Sequence, residues 1–220
     1  MTRNAKWWKE WSGFAVIVFL MFVFRSAVAD WYEVPTGSMK PTIVEGDRIF
    51  VNKLAYDVKV PFTLVSLARW EHPQRGDIVV FDSPTDAQRL VKRVVGLPGD
   101  SVELRNNCLI VNGMSADYSL EDQTMVERYW PQSAMRPVLY EETFNGHSHT
   151  ITVVPQLARG GRDFGPVVVP DEHVFVLGDN RDNSADSRFI GPIDERLILG
   201  RARGVVLSFH QPQRFLLELH

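Results

Sequence analysis

Three Gly-Asp dipeptides, each followed at once by a β-forming stretch, constrain this chain more than any other feature. Gly46-Asp47 precedes Arg48-Ile49-Phe50-Val51, Gly76-Asp77 precedes Ile78-Val79-Val80-Phe81, and Gly99-Asp100 precedes Ser101-Val102-Glu103-Leu104. Glycine and aspartate signal a turn, and the β-branched and aromatic residues behind them signal a strand. No amphipathic helical pattern of comparable strength follows residue 31, which argues against a parallel α/β sheet. The expected fold is mainly β. Between residues 105 and 170 the turn pairs Asn106-Asn107, Asn112-Gly113, Asn145-Gly146 and Gly160-Gly161 alternate with apolar runs such as Leu109-Ile110-Val111. That texture reads as hairpins inserted into the main domain. The expected organisation is a membrane anchor over 1–31, an antiparallel-sheet core over 32–104 and 171–220, and an inserted β-rich subdomain over 105–170.

The N-terminal segment carries Arg3, Lys6 and Lys9 ahead of an apolar run from Gly13 to Phe24, which Arg25 interrupts. As a helix, Trp11 to Phe24 measures about 21 Å, short of the roughly 30 Å hydrocarbon core. Continued to Trp31 it reaches about 31 Å, with Trp7, Trp8, Trp11 and Trp31 at the two interfaces and Arg25 snorkelling. The same stretch, ending in Ala27-Val28-Ala29, also fits a cleavable secretory signal. The anchor is the preferred reading, because cleavage after Ala29 leaves only eight residues before Ser38. Either way the basic cluster sets the N-terminus in the cytoplasm and the rest outside.

A net charge of -3 argues against a large nucleic-acid footprint. The single cysteine, Cys108, excludes an intrachain disulfide and a cysteine-cluster metal site. His147-x-His149 is better read as a solvated turn than as a metal pair, and no cofactor is expected.

The stretch Pro35-Thr36-Gly37-Ser38-Met39-Lys40-Pro41-Thr42 lacks the flanking glycines of a nucleophile elbow, and position 41 is proline where Ser-x-x-Lys needs lysine. Alone it is a turn in which Ser38 bonds its own backbone; as a nucleophile, Ser38 needs a base and oxyanion donors. Four lysines follow the N-terminal segment: Lys40, Lys53, Lys59 and Lys92. Lys92 alternates with Leu90 and Val94 on one strand face, where loss of solvation lowers an amine pKa. A fall from about 10.4 to near 8 costs about 3 kcal/mol and yields a free amine able to act as base. The other reading of Lys92 is a side chain snorkelling from an edge strand. A third element, Leu177 to Arg188, is dense in short polar side chains that can fix their own loop; it lacks the glycine and terminal glutamate of a calcium loop.

Taken together these segments resemble bacterial type I signal peptidases, membrane-anchored Ser-Lys endopeptidases that remove signal peptides from exported preproteins. Five stretches carry the likeness in the family's order: 35–42, 46–56, 75–81, 92–100 and 178–188. The resemblance implies Ser38 as nucleophile and Lys92 as general base. It implies an oxyanion hole from the Ser38 backbone N–H and the Thr36 hydroxyl, Thr36 standing where many members have serine. Ser184 would orient the Lys92 amine, and Asp186 with Arg188 would brace the loop. Val34, Pro35, Met39, Ile43, Ile49, Val80, Leu90 and Val91 would line shallow pockets for small side chains. The implied partners are preprotein signal peptides and the lipid bilayer, with a monomer on the outer face of the cytoplasmic membrane. One membrane segment and an unpaired Cys108 depart from some members. The rivals are a conjugation-type processing peptidase, a Ser-His-Asp hydrolase drawing on His72, His147, His149, His173, His210 or His220, and a non-catalytic tethered β module.

Overall fold

The computed structural model describes residues 3–130, 135–157, 161–209 and 211–219; His210, His220 and Gly160 lie outside the described residues. Every named strand pairing is antiparallel, and the protein is mainly β. The main sheet holds β1 (Ala29–Glu33), β2 (Asp47–Asn52), β16 (Ile198–Ser208), β5 (Ile78–Asp82), β6 (Arg89–Gly96), β14 (His173–Leu177) and β15 (Ile193–Asp194) in that order, with β17 (Leu217–Glu218) on β16. A four-stranded sheet is built from β13 (Phe164–Val168), β7 (Ser101–Arg105), β8 (Cys108–Val111) and β9 (Met114–Ser115). A three-stranded sheet follows from β10 (Asp117–Leu120), β11 (Val138–Phe144) and β12 (His147–Val153). A hairpin of β3 (Asp57–Lys59) and β4 (Ser66–Arg69) stands apart.

The burial patterns follow from the sequence. β5 reads Ile-Val-Val-Phe without alternation because it lies between β16 and β6 with apolar clusters on both faces. β2 alternates instead: Ile49 and Val51 are wholly buried while Phe50 between them faces out. Register shifts in the β16 pairings with β2 and β5 let this one long strand curl and serve both neighbours.

The N-terminal helix α1 runs from Arg3 to Ala27 and does not continue to Trp31. The chain turns into β1 at Ala29, with Ala29 opposite Asn52 of β2. The Lys53 ammonium donates to the Arg25 and Ser26 carbonyls at 3.1 and 3.2 Å, closing the helix end with a cation where its dipole favours one. Among the described residues no helix is long and apolar enough to cross a membrane. The expected spanning segment is corrected accordingly: the apolar run stops at Arg25, the helix ends two residues later at Ala27, and Ala29 to Trp31, meant to lengthen it, pair in β1. The helix is nonetheless apolar on its surface, with Phe14, Ile17, Phe19, Leu20, Met21 and Phe24 all more than half exposed.

One buried ion pair joins the three-stranded sheet to the loop after β14. Arg181 donates to the Glu142 carboxylate at 2.6 Å, both side chains being withdrawn from solvent. A parallel bridge between Thr152 and Asn180 lies beside it, the Arg181 N–H donating to the Thr152 carbonyl at 2.9 Å and the Thr152 N–H to the Asp179 carbonyl at 2.8 Å. Removing one partner of such a pair strands a charge in the interior. Glu142→Ala is therefore expected to lower unfolding free energy by about 3–5 kcal/mol, and Glu142→Leu with Arg181→Met to recover most of that loss, in urea titrations of both variants.

Candidate active site

Ser38 lies in the turn between β1 and β2, held by the segment that follows β14. The Asn180 N–H donates to the Ser38 carbonyl at 3.0 Å, and the Asn180 side-chain amide donates to the Gly37 carbonyl at 2.9 Å. The Thr152 hydroxyl donates to the Lys40 carbonyl at 3.1 Å, so three carbonyls of this one turn are gripped from outside. Met39 and Ile43, both wholly buried, root the turn in the core. Gly178 is packed so closely that an added Cβ would collide with the Ser184 hydroxyl and the Ser38 carbonyl oxygen. Glycine is needed here for close approach.

Lys92 stands in β6 opposite Val79 of β5, its residue only 2% exposed. Its Nζ lies 2.7 Å from Ser38 Oγ and 2.9 Å from the Val91 carbonyl oxygen. Burial is the main cause that brings the Lys92 pKa down to about 8; Asp186 and Asp179 pull it up, and Arg188 pushes it further down. At that pKa about a tenth of these amines are uncharged at pH 7, each within hydrogen-bond distance of the serine hydroxyl. The Ser38 N–H donates to no group among the described residues. Thr36, two residues earlier and exposed, likewise has a hydroxyl without a partner among them.

Around this contact sits a set of buried ion pairs. Asp186 accepts from the Gly178 N–H at 3.0 Å and from the Arg188 guanidinium at 2.8 Å, while Arg188 also donates to the Arg181 carbonyl at 2.6 Å. Ser184 Oγ is buried over Gly178 and makes no hydrogen bond among the described residues, Lys92 included. Arg93, one residue past Lys92, donates through two nitrogens to Asp179 at 3.0 and 2.9 Å, and Thr42 of the serine turn donates to the same carboxylate at 2.5 Å. Burial pushes the Asp179 carboxyl up, but the Arg93 guanidinium overrides it and holds the group below the usual carboxylate range.

Val34, Met39, Ile43, Ile49 and Val80 form one apolar cluster, with Val91 packed at its edge. Leu90 packs in a different cluster with Val79, Phe81 and Val94, and Pro35 is exposed. No histidine hydrogen-bonds Ser38 among the described residues; His149 points inward, its Nε2 3.5 Å from Glu142 and 3.8 Å from Asp179. Burial first, then Arg93, lowers the His149 pKa to about 4 and keeps the ring neutral. Arg93, Asp179, Asn180, Thr42 and Thr152 were not marked as site residues by the sequence. Asp179 and Asn180 lie in a loop that was singled out, whereas Thr152 carries no local signal at all.

A buried serine–lysine contact at the edge of a curled antiparallel sheet is the setting in which the family match falls. The family model "Signal peptidase, peptidase S26" matches residues 7–207. A signal peptidase I of Pseudomonas fluorescens is 35% identical over 91% of this chain and 72% of its own length. One of Pseudomonas aeruginosa is 34% identical over the same shares. The crystal structure of a signal peptidase I from Enterococcus faecalis is 31% identical and covers 60% of this chain and 97% of its own, with a TM-score of 0.36. The chain belongs to the signal peptidase family, peptidase S26, and is a hydrolase of the serine endopeptidase class.

The Lys92 shift fixes the sign of a stability effect. The folded-state pKa of about 8 lies below the ordinary lysine value of 10.5, so below pH 8 the buried amine must carry a charge that costs folding energy. That cost disappears as pH rises from 8 to 10.5, where the unfolded chain binds more protons than the native one. At about 1.4 kcal/mol per unit it amounts to roughly 3 kcal/mol. Lys92→Met is expected to be more stable than wild type at pH 7 and to lose most of that advantage by pH 10, in denaturant titrations at the two pH values.

Proposed function

We propose that this enzyme removes signal peptides from preproteins, with Ser38 as nucleophile and Lys92 as its general base. The observation that carries the reading is the 2.7 Å approach of a buried lysine amine to the serine hydroxyl. The neutral amine takes the Ser38 proton as Oγ attacks the scissile carbonyl. The oxyanion forms beside the Ser38 N–H and, with a small rotation, the Thr36 hydroxyl; donors free of other partners cost least to recruit. The Lys92 ammonium then gives its proton to the departing amine. A water molecule, deprotonated by the same amine, hydrolyses the acyl-enzyme and restores Ser38. In this scheme Asn180, Asp179 and Asp186 with Arg188 hold the turn and loop, and touch no reacting atom.

The substrate path follows from two free strand edges. β1 ends the main sheet, and β6 is paired to β14 only from Arg93 onward, so 89–91 leave one edge without a strand partner. An extended peptide entering between them is added as a strand, its backbone satisfied by either edge. Val34 and Val91 border this slot, and the wholly buried Met39, Ile43, Ile49 and Val80 form its floor. A floor already filled leaves shallow recesses, which favours small side chains at the first and third positions before the cut. Attachment to a bilayer is part of the same reading. It is supported by the apolar surface of α1 and by the exposed Phe62, Val65, Leu67 and Trp70 on and beside the β3–β4 hairpin.

Intact-mass analysis of a preprotein with alanines at the first and third positions before its junction, incubated in detergent micelles, tests the reading. One cut after the second alanine is expected with wild type, and a loss of at least 10³-fold with Ser38→Ala and with Lys92→Met. Cutting that survives both substitutions would refute it.

A further inference from the structure

A cavity of about 600 Å³ is bounded by the end of α1, the tip of the β3–β4 hairpin, β1 and the start of β6, and its Tyr32 and Arg89 lie two residues along their strands from Val34 and Val91 of the slot. Arg89 of β6 reaches across it, its guanidinium carbon 4.7 Å above the ring of Tyr32 on β1. The charges here do not balance. Arg25 and Lys53 share a single carboxylate, Asp30, at 2.9 and 3.3 Å. Lys59 has Asp57 at 2.8 Å and Arg89 has Asp82 at 3.0 Å. Four cations thus line the cavity against three paired carboxylates, of which Asp30 and Asp82 line it and Asp57 holds Lys59 from outside. Two of the cations, Arg25 and Arg89, keep side chains 49% and 43% exposed toward the space a ligand would enter.

The position of this surplus along the slot can be read from the strand. Arg89 precedes Lys92 by three residues, about 10 Å of extended chain. A peptide paired along β6 with its scissile carbonyl at Ser38 therefore brings roughly its fourth to sixth residues before the cut into the cavity. The cavity also adjoins the apolar helix α1, the direction from which the apolar part of a bilayer-held signal peptide must come.

We propose that this cavity is the subsite for the fourth to sixth residues before the cut, and that Arg89 and its unbalanced cations make it discriminate against lysine and arginine there. The inference rests on the signal-peptide reading of the preceding section. A basic side chain entering the cavity finds every carboxylate already engaged and meets at least one uncompensated cation. A neutral polar side chain meets no such opposition, and an acidic one supplies the missing charge. Like-charge juxtaposition at a partly solvated site changes binding by about three- to tenfold, and it acts on association more than on chemistry.

The test uses the full chain in detergent and one preprotein carrying asparagine, glutamate or lysine five residues before the cut. With wild type, lysine is expected to lower kcat/KM by about three- to tenfold relative to asparagine, chiefly through KM, and glutamate to match or exceed asparagine. Arg89→Glu should remove or invert the lysine penalty, and Lys59→Gln, a second way to delete a cation, should shrink it. Equal kcat/KM for the three substrates, or a lysine penalty unchanged in both variants, would overturn the subsite while leaving the signal-peptide reading intact. Failure of wild type to cut even the asparagine substrate would overturn both.

Discussion

The withdrawal of one lysine amine from water is the constraint on which the rest of the site depends. Burial lowers the Lys92 pKa to about 8, and a base with that pKa can exist in its free form near neutrality without losing much proton affinity. Such a group cannot simply be inserted into a core. It needs a strand to hold it among aliphatic neighbours, a hydroxyl within hydrogen-bond reach, and nearby carboxylates that limit how far its pKa falls. β6 supplies the first and the Ser38 turn the second. Asp186 and Asp179 supply the third, each neutralised by its own arginine so that neither competes for the Lys92 proton as a direct partner.

The surrounding sheets are arranged to keep that contact rigid. A turn between two strands is ordinarily a mobile place for a nucleophile. Here the carbonyls of Gly37, Ser38 and Lys40 each accept a hydrogen bond from residues distant in sequence. The segment that donates two of those bonds is tied in turn to the three-stranded sheet through Arg181 and Glu142. Precise placement on supported elements matters because a displacement of about 1 Å in a reacting group can cost two orders of magnitude in rate. On the opposite side of the dyad, among the described residues, the outer edge of β1 and one edge of β6 over 89–91 carry no strand.

Local patterns in the sequence carried the strands, while long-range contacts stayed hidden. The Gly-Asp turns do precede β2, β5 and β7, and Leu90 and Val94 do share a cluster on the Lys92 side of β6. Period-2 alternation is a property of a few adjacent residues, so it is readable. Thr152 and Glu142 sit on β12 and β11, and nothing in their neighbourhood marks them as partners of the loop after β14, so far along the chain. Asp179 and Asn180 were visible as members of a polar loop, but which of them grips the serine turn depends on how β14 docks against β6. The N-terminal segment shows the reverse error. The length needed to span and the flanking tryptophans suggested a helix to Trp31, yet the helix ends at Ala27 and Ala29–Glu33 pair with β2, because tertiary hydrogen bonds claim these residues for the sheet.

The most direct test of the account is the pH dependence of covalent labelling of Ser38 by an acylating serine-directed probe, read by mass spectrometry of the labelled peptide. The rate is expected to climb with pH to a plateau with a midpoint near 8, and labelling should vanish in folded Lys92→Met. A rate that is flat between pH 6 and 9, or Ser38 labelling that persists unchanged without the lysine, would contradict the claim that the buried amine activates the serine.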